Sequence, residues 1–390
     1  MASKPTFPDE IMVEILLKLP IKSILRCNTL SKHYYSLIHS QFFIRRHLSL
    51  VRLNNNFSDR FIVSPMVDSL RLFNRTSGCS IESVGSSSLV DDVSNRKLVI
   101  AGPVDGLYCV IDHVNVFQRR AISLWNPATL EEFILPPLPL TNDAFDDGVE
   151  GLSLEDFLDD FVARDECLAF GFGYDSNTNN YKVVIIYRSI SDFLSSNMFM
   201  YIFNLSEKTW RDHDECVGVN FWDIKSFDGV FFCEACHWIC SFHSFDHNAA
   251  YQIFAFDMST ESSIAISFPD VEDGYVWFNT SITTLNGCLA LVDGLGGEDV
   301  EMRFSFFLVW VMADYGVTES WSMRYRVSLP DGIVGRFLGI AGDRFYVSEG
   351  EGWLVSYDVD SKDVERYRIL DDSIYSLLPY EESLVRIVSL

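Results

Sequence analysis

The first twenty residues carry apolar positions at helical spacing. Pro8 suits the first turn of a helix, where a missing backbone N–H costs nothing, and Pro20 ends the helix. Glu10, Glu14 and Lys18 fall on the side away from the apolar positions. The pattern therefore predicts a short amphipathic helix whose apolar stripe consists of Ile11, Ile15, Leu16 and Leu19.

Two further helical runs follow within the first forty residues. The pattern predicts one helix from Ile21 to Asn28 and another from Lys32 to Ile38, with Ser31 as the N-cap of the latter. Three helices this short enclose too little apolar surface to form a stable core alone. They therefore need a packing partner.

Beyond Val99 the pattern becomes that of β-strands. Short runs of β-branched and aromatic residues are separated by Gly, Asn and Asp turns. One unit, a strand, a polar turn and a second strand, recurs at irregular intervals around the ~50-residue period of kelch-type blades. Radial repetition of four-stranded blades would bury these runs and hide their edges. The units lie at residues 121–133, 201–210, 252–262, 308–321 and 354–364.

The two patterns predict a small all-α region followed by a large all-β domain. We expect the β domain to be a kelch-like β-propeller or a related, incomplete one, and a β-sandwich with similar hairpins is the alternative. Residues 51–98 include a stretch rich in Asn, Ser and Asp that predicts a connector and the first strands. The expected division is therefore residues 1–50, 51–98 and 99–390.

Five segments near the N-terminus resemble the plant F-box in order, spacing and residue type. The matching segments are residues 19–27, 30–32, 35–38, 42–44 and 47–48. The resemblance implies that residues 1–50 form a three-helix F-box that docks on a Skp-type adaptor and, through it, on a cullin. Tyr34 stands where family members often have Trp, so the aromatic side chain expected to anchor this docking is smaller here. The residues expected to contact the adaptor are Phe7, Pro8, Ile11, Ile15, Leu16, Leu19, Pro20, Leu25, Leu30 and Tyr34.

The β region resembles the plant F-box-associated domain. The landmarks of that family occur in their usual order at residues 124–129, 135–137, 170–175, 180–184, 237–238 and 319–321. The chain is similar both to pollen S-locus F-box proteins and to F-box proteins that control immune-receptor levels. The resemblance implies a substrate-recognition subunit of an SCF-type ubiquitin ligase, which holds a target protein for ubiquitination and degradation. Its chemistry would be positioning, so no catalytic residue and no cofactor is expected.

The formal net charge of −25 is unevenly distributed. Seven basic residues outnumber three acidic ones in residues 1–50, so residues 51–390 carry −29. This charge disfavours binding of nucleic acid or an anionic membrane by the large domain, and it makes a basic target electrostatically easier. Simple solvation is the other interpretation of the same charge.

The N-terminus lacks the apolar core of a signal peptide, and no later run approaches the ~20 apolar residues of a membrane span. We therefore expect the protein in the cytoplasm, the nucleus or both. The nine cysteines should then be reduced thiols.

One cluster of thiols and imidazoles has the spacing of a metal or haem site. Cys233, Cys236 and His237 form a Cys-x-x-Cys-His sequence, and Cys240, His243 and His247 follow it. No second paired-cysteine motif accompanies it, and alternation along a strand would send neighbouring side chains to opposite faces. Structural thiols and a packed histidine are therefore the favoured interpretation, and no metal site is predicted.

Residues 141–166 form an acidic insertion with aromatic residues between the carboxylates. This arm could meet a basic target surface, or it could be a solvated helix and loop. The candidate target-binding residues are Asp146, Asp147, Glu150, Glu155, Asp156, Asp159 and Asp160.

Two other functions stay open at the level of sequence. A ligand-binding or enzymatic propeller would need convergent polar residues, and no nucleophile elbow, zinc motif or phosphate loop is present in the sequence. A scaffold protein that takes no part in degradation would also bind the adaptor. It would differ from a ligase subunit because its target would not be degraded.

Overall fold

The computed structural model describes most of the chain with gaps. The described ranges are 8–54, 59–65, 70–75, 80–83, 98–112, 122–139, 165–192, 195–213, 223–242, 250–271, 277, 279–295, 304–330, 333–350, 352–369 and 374–387.

The described N-terminal residues form four helices. Pro8 and Pro20 precede the first and second of them, and the Ser31 hydroxyl accepts the backbone N–H of Tyr34 at 3.2 Å, which confirms the predicted N-cap. The fourth helix was not predicted, because its mixed polar and apolar pattern follows the others after only two residues. The helices are α1 (Asp9–Leu16), α2 (Ile21–Cys27), α3 (Lys32–Ile38) and α4 (Gln41–Asn54).

All described residues that follow the helices lie in strands, turns and one short 3-10 helix at Thr318–Ser320. The strands of the first half are β1 (Arg60–Pro65), β2 (Arg71–Asn74), β3 (Ser80–Ser83), β4 (Leu98–Val104), β5 (Leu107–Asp112), β6 (Ile122–Asn126), β7 (Glu131–Ile134), β8 (Asp165–Asp175), β9 (Asn180–Asp192), β10 (Ser195–Asn204) and β11 (Thr209–His213).

The second half continues in the same way. Its strands are β12 (Asp223–Ile224), β13 (Val230–Phe232), β14 (Ala235–Phe242), β15 (Ala250–Asp257), β16 (Ser263–Ser267), β17 (Thr280–Leu285), β18 (Cys288–Leu295), β19 (Phe306–Met312), β20 (Trp321–Ser328), β21 (Arg336–Ala341), β22 (Arg344–Ser348), β23 (Trp353–Asp358), β24 (Val364–Arg368) and β25 (Ile374–Pro379).

These strands form six antiparallel sheets, which are the blades of a β-propeller. Blade one pairs the last strand with the first three, in the order β25-β1-β2-β3, so strand pairing between the two ends of the β region closes the ring. Blades two, three, five and six are β4–β7, β8–β11, β17–β20 and β21–β24, and blade four is β12–β16 with a divided inner strand. The prediction of a small helical region followed by a β-propeller is confirmed. A sandwich is excluded, because it would have two sheets.

The hairpin units predicted from the sequence are the outer hairpins of five blades. In four of them an Asn or Asp side chain accepts the backbone N–H two residues on, and the residue four positions on adopts a positive φ. This turn suits Asn and Asp, since their short side chains bond to the nearby backbone. The four turns begin at Asn126, Asn204, Asp257 and Asp358.

The two ends of the ring differ in what they present. Because each inner strand leads into its turn on the same side, the turns between first and second strands and between third and fourth strands share one face. Helix α4 contacts this face through Arg52 and Arg45, so we call it the F-box face. The inner strands begin at the opposite face.

The domain boundaries expected at residues 50 and 98 stay predictions. Helix α4 continues to Asn54, and the strands β1–β3 of the segment 51–98 belong to blade one.

Candidate functional site

Five of the residues expected to contact an adaptor lie at the surface of the helices. Ile11 and Ile15 are 47% and 45% exposed on α1, and Leu30, between α2 and α3, is 66% exposed. Pro8 and Pro20 are exposed as well. Large apolar side chains left in water on one small domain mark a surface that a partner covers.

The other predicted contacts are less accessible. Leu16 is fully buried in the helical core, while Leu19, Leu25 and Tyr34 are half-buried and pack against that core. Phe7 lies outside the described residues. The predicted apolar stripe grouped Ile11 and Ile15 with Leu16 and Leu19. In the structure the buried residues are Val13, Leu16 and Leu17, while Ile11 and Ile15 are exposed.

Two exposed aromatic residues of the helices were missed in the sequence. Tyr35 on α3 is 46% exposed and Phe42 on α4 is 65% exposed. The resemblance marked the segments that contain both residues, but the helical pattern alone gave no sign that their rings face solvent. Both rings add to the exposed apolar surface of the helical region.

The helices need a partner to complete their core, and the chain's own C-terminal segment supplies part of it. Leu384 packs among buried residues of α1, α2 and α4, including Val13, Ile24 and Phe43. The prediction that the helices cannot form a stable core alone stays a prediction, and the contact with Leu384 agrees with it. The C-terminal segment contributes the apolar side chain of Leu384 to the core of the helical domain.

Charged groups fix the helical domain on the propeller. Arg52 of α4 donates to Glu381 at 2.6 Å and to Asp105 at 2.8 Å, and the side chain of Glu381 is almost fully buried. Gly106, with φ +75°, allows the C-terminal segment to pass close by, because a Cβ there would lie 2.2 Å from the Cβ of Ser383.

Asn126 of blade two forms hydrogen bonds with the same C-terminal segment. Its side-chain nitrogen donates to the carbonyls of Ser383 and Val385 at 3.1 and 2.8 Å, while its oxygen accepts the N–H of Ala128. The side chain is fully buried, so each of these bonds is protected from water. The helices are thus held on one face of the ring, and the opposite face is left uncovered by them.

The acidic arm predicted to bind a target lies outside the described residues for positions 141–164. Its flanking strands are described: β7 ends and β8 begins at the face opposite the helices. The role of its carboxylates stays a prediction.

The cysteine and histidine cluster is divided between the two sides of one strand. Cys236 and Cys240 of β14 are buried in the same core as Trp238, while His237 points to the other side of the strand. Cys233 is exposed at the turn before β14, and His243 and His247 lie outside the described residues. Within the described part of the chain, no group of three or more His, Cys, Asp or Glu side chains is arranged to hold a metal ion.

Buried His237 makes hydrogen bonds with both ring nitrogens. Nδ1 donates to the carbonyl of Val230 at 3.0 Å, and Nε2 accepts the hydroxyl of Tyr315 at 2.7 Å. Burial lowers the pKa of His237 to about 4, because the surroundings disfavour the charged ring. The imidazole is therefore neutral at physiological pH and acts as a packed polar group.

We expect this histidine to make the protein less stable in acid. Its contribution to the free energy of unfolding is fully present above pH 6.5 and is lost as the pH falls towards 4, about 3 kcal/mol in all. Urea unfolding at a series of pH values measures it. His237→Gln should flatten the curve over this range, and His33→Gln, at an exposed position, is the control. An unchanged curve in His237→Gln would contradict the assignment.

A cavity of about 380 Å³ lies in the central channel of the propeller. Inner strands of five blades line it, and the Arg52 and Glu381 pair stands at its F-box end. Asp228 reaches the cavity from the interruption between β12 and β13. Sequence analysis missed this residue, because an Asp-Gly pair indicates a turn and carries no sign of the channel.

Two family models match the chain. The F-box domain matches residues 5–46, and the F-box associated beta propeller domain matches residues 59–385. The chain therefore belongs to the F-box proteins with an F-box-associated β-propeller, the class in which an F-box binds a Skp1-type adaptor of SCF complexes and a propeller recognises substrates.

Particular relatives come from Arabidopsis thaliana. The chain is 26% identical to the F-box protein CPR1 over 404 residues, with 97% of this chain and 89% of that protein covered. It is 25% identical to the F-box/kelch-repeat protein At3g23880, with 83% and 79% covered. Among solved structures, an exo-beta-1,3-galactanase of Bifidobacterium bifidum aligns over 78% of this chain and 97% of its own, at 9% identity and a TM-score of 0.39.

The helices of the described residues are too short or too polar to cross a bilayer. The longest of them, α4, has 14 residues and carries three arginines.

Proposed function

We propose that this protein is the substrate-recognition subunit of an SCF-type ubiquitin ligase acting in the cytoplasm, the nucleus or both. Its F-box binds a Skp-type adaptor and, through it, a cullin, while the propeller holds a target protein for ubiquitination and degradation. The observation that carries the proposal is the exposure of Ile11, Ile15 and Leu30 on helices that are otherwise fixed to the propeller. These side chains have no cover within the described part of the chain.

The arrangement supports a positioning role for the protein. The helices are held on one face of the propeller by the ion pairs of Arg52 and by the packing of Leu384, so a target on the opposite face would be held at a defined place relative to the adaptor. A tethered target meets the ubiquitin-loaded conjugating enzyme at high effective concentration, so no nucleophile of this chain is needed. The net charge of −25 favours a target with a basic surface.

Affinity purification of the full chain from plant cells tests the proposal. We expect a Skp-type adaptor and a cullin to co-purify, together with a protein whose amount rises when the proteasome is inhibited. Mass spectrometry with and without inhibitor identifies these proteins. Recovery of the adaptor with a partner whose amount and turnover do not change would support the scaffold function instead.

A ligand-binding propeller is the second candidate function, and the cavity of the central channel favours it. This function does not exclude the first, because a propeller can bind a small molecule and a target protein.

A further inference from the structure

The central channel contains an acidic group without an ion-pair partner among the described residues. Asp228 lines the cavity level with the middle of β8, and no Lys, Arg or His of the described residues forms an ion pair with its carboxylate. Arg336 is the cation that partly offsets the rise of the Asp228 pKa on burial, but its guanidinium donates to the backbone carbonyls of Ile374 and Tyr375.

The backbone around Asp228 is built to place this side chain in the channel. The inner strand of blade four is divided there into β12 and β13. Between these two strands the chain departs from β14, and Asp228 forms a β-bridge with Phe170 of β8 in blade three. Phe170 donates to the carbonyl of Phe227 at 2.8 Å and accepts the N–H of Gly229 at 2.8 Å. Because Gly229 packs on Trp238, where a Cβ would lie 2.7 Å from the indole, the detour has one fixed geometry.

Burial makes the charge of this carboxylate costly. Burial raises the pKa of Asp228, and the positive charge of Arg336 offsets only part of that shift. The residue as a whole is only partly buried, and it lines the cavity. A carboxylate in this position gains most from a cation that enters the cavity, since the low dielectric there strengthens the pair.

The remaining wall of the cavity combines apolar side chains with polar groups that include Arg52, Thr283 and Glu381. Ile100, Phe231, Ile282, Leu338 and Ile340 come from four different blades. A volume of about 380 Å³ lies within the ~300–1,000 Å³ of small-molecule sites, where apolar walls bind the body of a ligand and a few polar groups orient it.

We propose that the central channel binds an ammonium or guanidinium group on an apolar body, with the cation against the Asp228 carboxylate. The cation can belong to a free small amine or to a lysine or arginine side chain of a peptide, and the chemistry at Asp228 is the same. The proposal does not rest on adaptor binding, since Asp228 belongs to blade four of the propeller and not to the helices.

Two probe pairs test the site on the full chain by calorimetry or ligand-observed NMR. Phenethylamine is compared with phenethyl alcohol, which has the same body without the charge, and a lysine-containing pentapeptide is compared with its Nε-acetylated form. We expect the charged member of at least one pair to bind about tenfold more tightly or better. The pair that shows the preference identifies the source of the cation.

Three variants localise the binding. Asp228→Asn keeps the shape and should remove the preference for the charged probe, while Asp270→Asn, at an exposed position after β16, should retain it. Gly339→Leu should block both members of each pair, because a Cβ at Gly339 meets nothing closer than 3.8 Å and a larger side chain can project into the channel. The Gly339 variant also keeps the test valid if Asp228→Asn fails to fold.

Equal binding of the charged and neutral probes to the wild-type protein would overturn the proposal, and so would an unchanged preference in Asp228→Asn. Adaptor binding by the same variants should equal that of the wild type. Absence of adaptor binding by the wild-type chain, with the preference for the charged probe present, would count against the proposed function and leave the channel site standing.

Discussion

Replacing Ile11 and Ile15 together with aspartate is expected to weaken binding of a Skp-type adaptor at least about 100-fold. Both side chains are close to half exposed on α1, so the substitution adds charge to a surface that water already reaches in the free protein. In the complex the same carboxylates would be enclosed by apolar groups without a partner, and that desolvation carries the loss. Calorimetry or surface plasmon resonance with purified adaptor measures it.

The matched control is Leu53→Asp. Leu53 is an apolar residue of α4 that is 81% exposed and lies outside the residues expected to contact the adaptor. It should bind the adaptor as the wild type does. Circular dichroism must show the same helix content in all variants, because exposed positions do not support the core. Wild-type affinity of the double variant would place the adaptor surface elsewhere.

The choice of these positions comes from the structure. Leu19 and Leu25 were expected to be adaptor contacts, but both pack partly against the helical core. Aspartate at either position would disturb folding as well as binding, so a loss of binding there would have two causes. Ile11 and Ile15 separate the two effects.

Replacing Lys182 with methionine is expected to lower the free energy of unfolding by about 3–5 kcal/mol. Lys182 is buried between blades three and four, where its ammonium donates to Asp175 at 2.7 Å, to Glu261 at 2.7 Å and to the carbonyl of Met258 at 2.6 Å. The side chain of Asp175 is 1% exposed. Removal of the lysine therefore leaves a carboxylate that neither water nor a cation can reach.

The pKa of Asp175 reports the same interaction. Burial alone would raise it, but the hydrogen bonds from Lys182 and Thr178 prevail and lower the pKa to about 2. A carboxyl with a lowered pKa stabilises the fold above its unfolded value near 4, and this contribution is lost as the pH falls towards 2. The Lys182→Met variant should therefore lose much of the acid-induced destabilisation over this range.

Urea unfolding followed by fluorescence measures the effect of Lys182→Met. Lys208→Met changes an exposed lysine in the outer hairpin turn of the same blade and should cost less than about 1 kcal/mol. Adding Asp175→Asn to Lys182→Met should recover part of the stability, because it removes the stranded charge. A loss below 1 kcal/mol in the single variant would show that the ion pair contributes little to the joining of the two blades.

Local sequence signals predicted much of the architecture. The helix α1, the cap at Ser31 and the Asn and Asp turns each depend on a few neighbouring residues, and the structure has all three. The blade hairpins were recognisable for the same reason, since a turn residue bonds to backbone only two or three positions away. The resemblance to the plant F-box and to the F-box-associated domain then predicted how these local features combine into an F-box and a propeller.

Other features depend on residues that are distant in sequence. The core of the helices includes Leu384, the closing strand β25 pairs with β1 across more than 300 residues, and Asp228 reaches the channel because blade four is interrupted. The pattern also could not show which residues of α1 are buried. Periodicity groups the residues that share a face of the helix, but it does not show what that face packs against. By itself the sequence determined the elements and their turns, through contacts between near neighbours. The tertiary structure alone decided which side chains are exposed, paired or left in the channel, because burial and electrostatic partners are set when distant segments pack together.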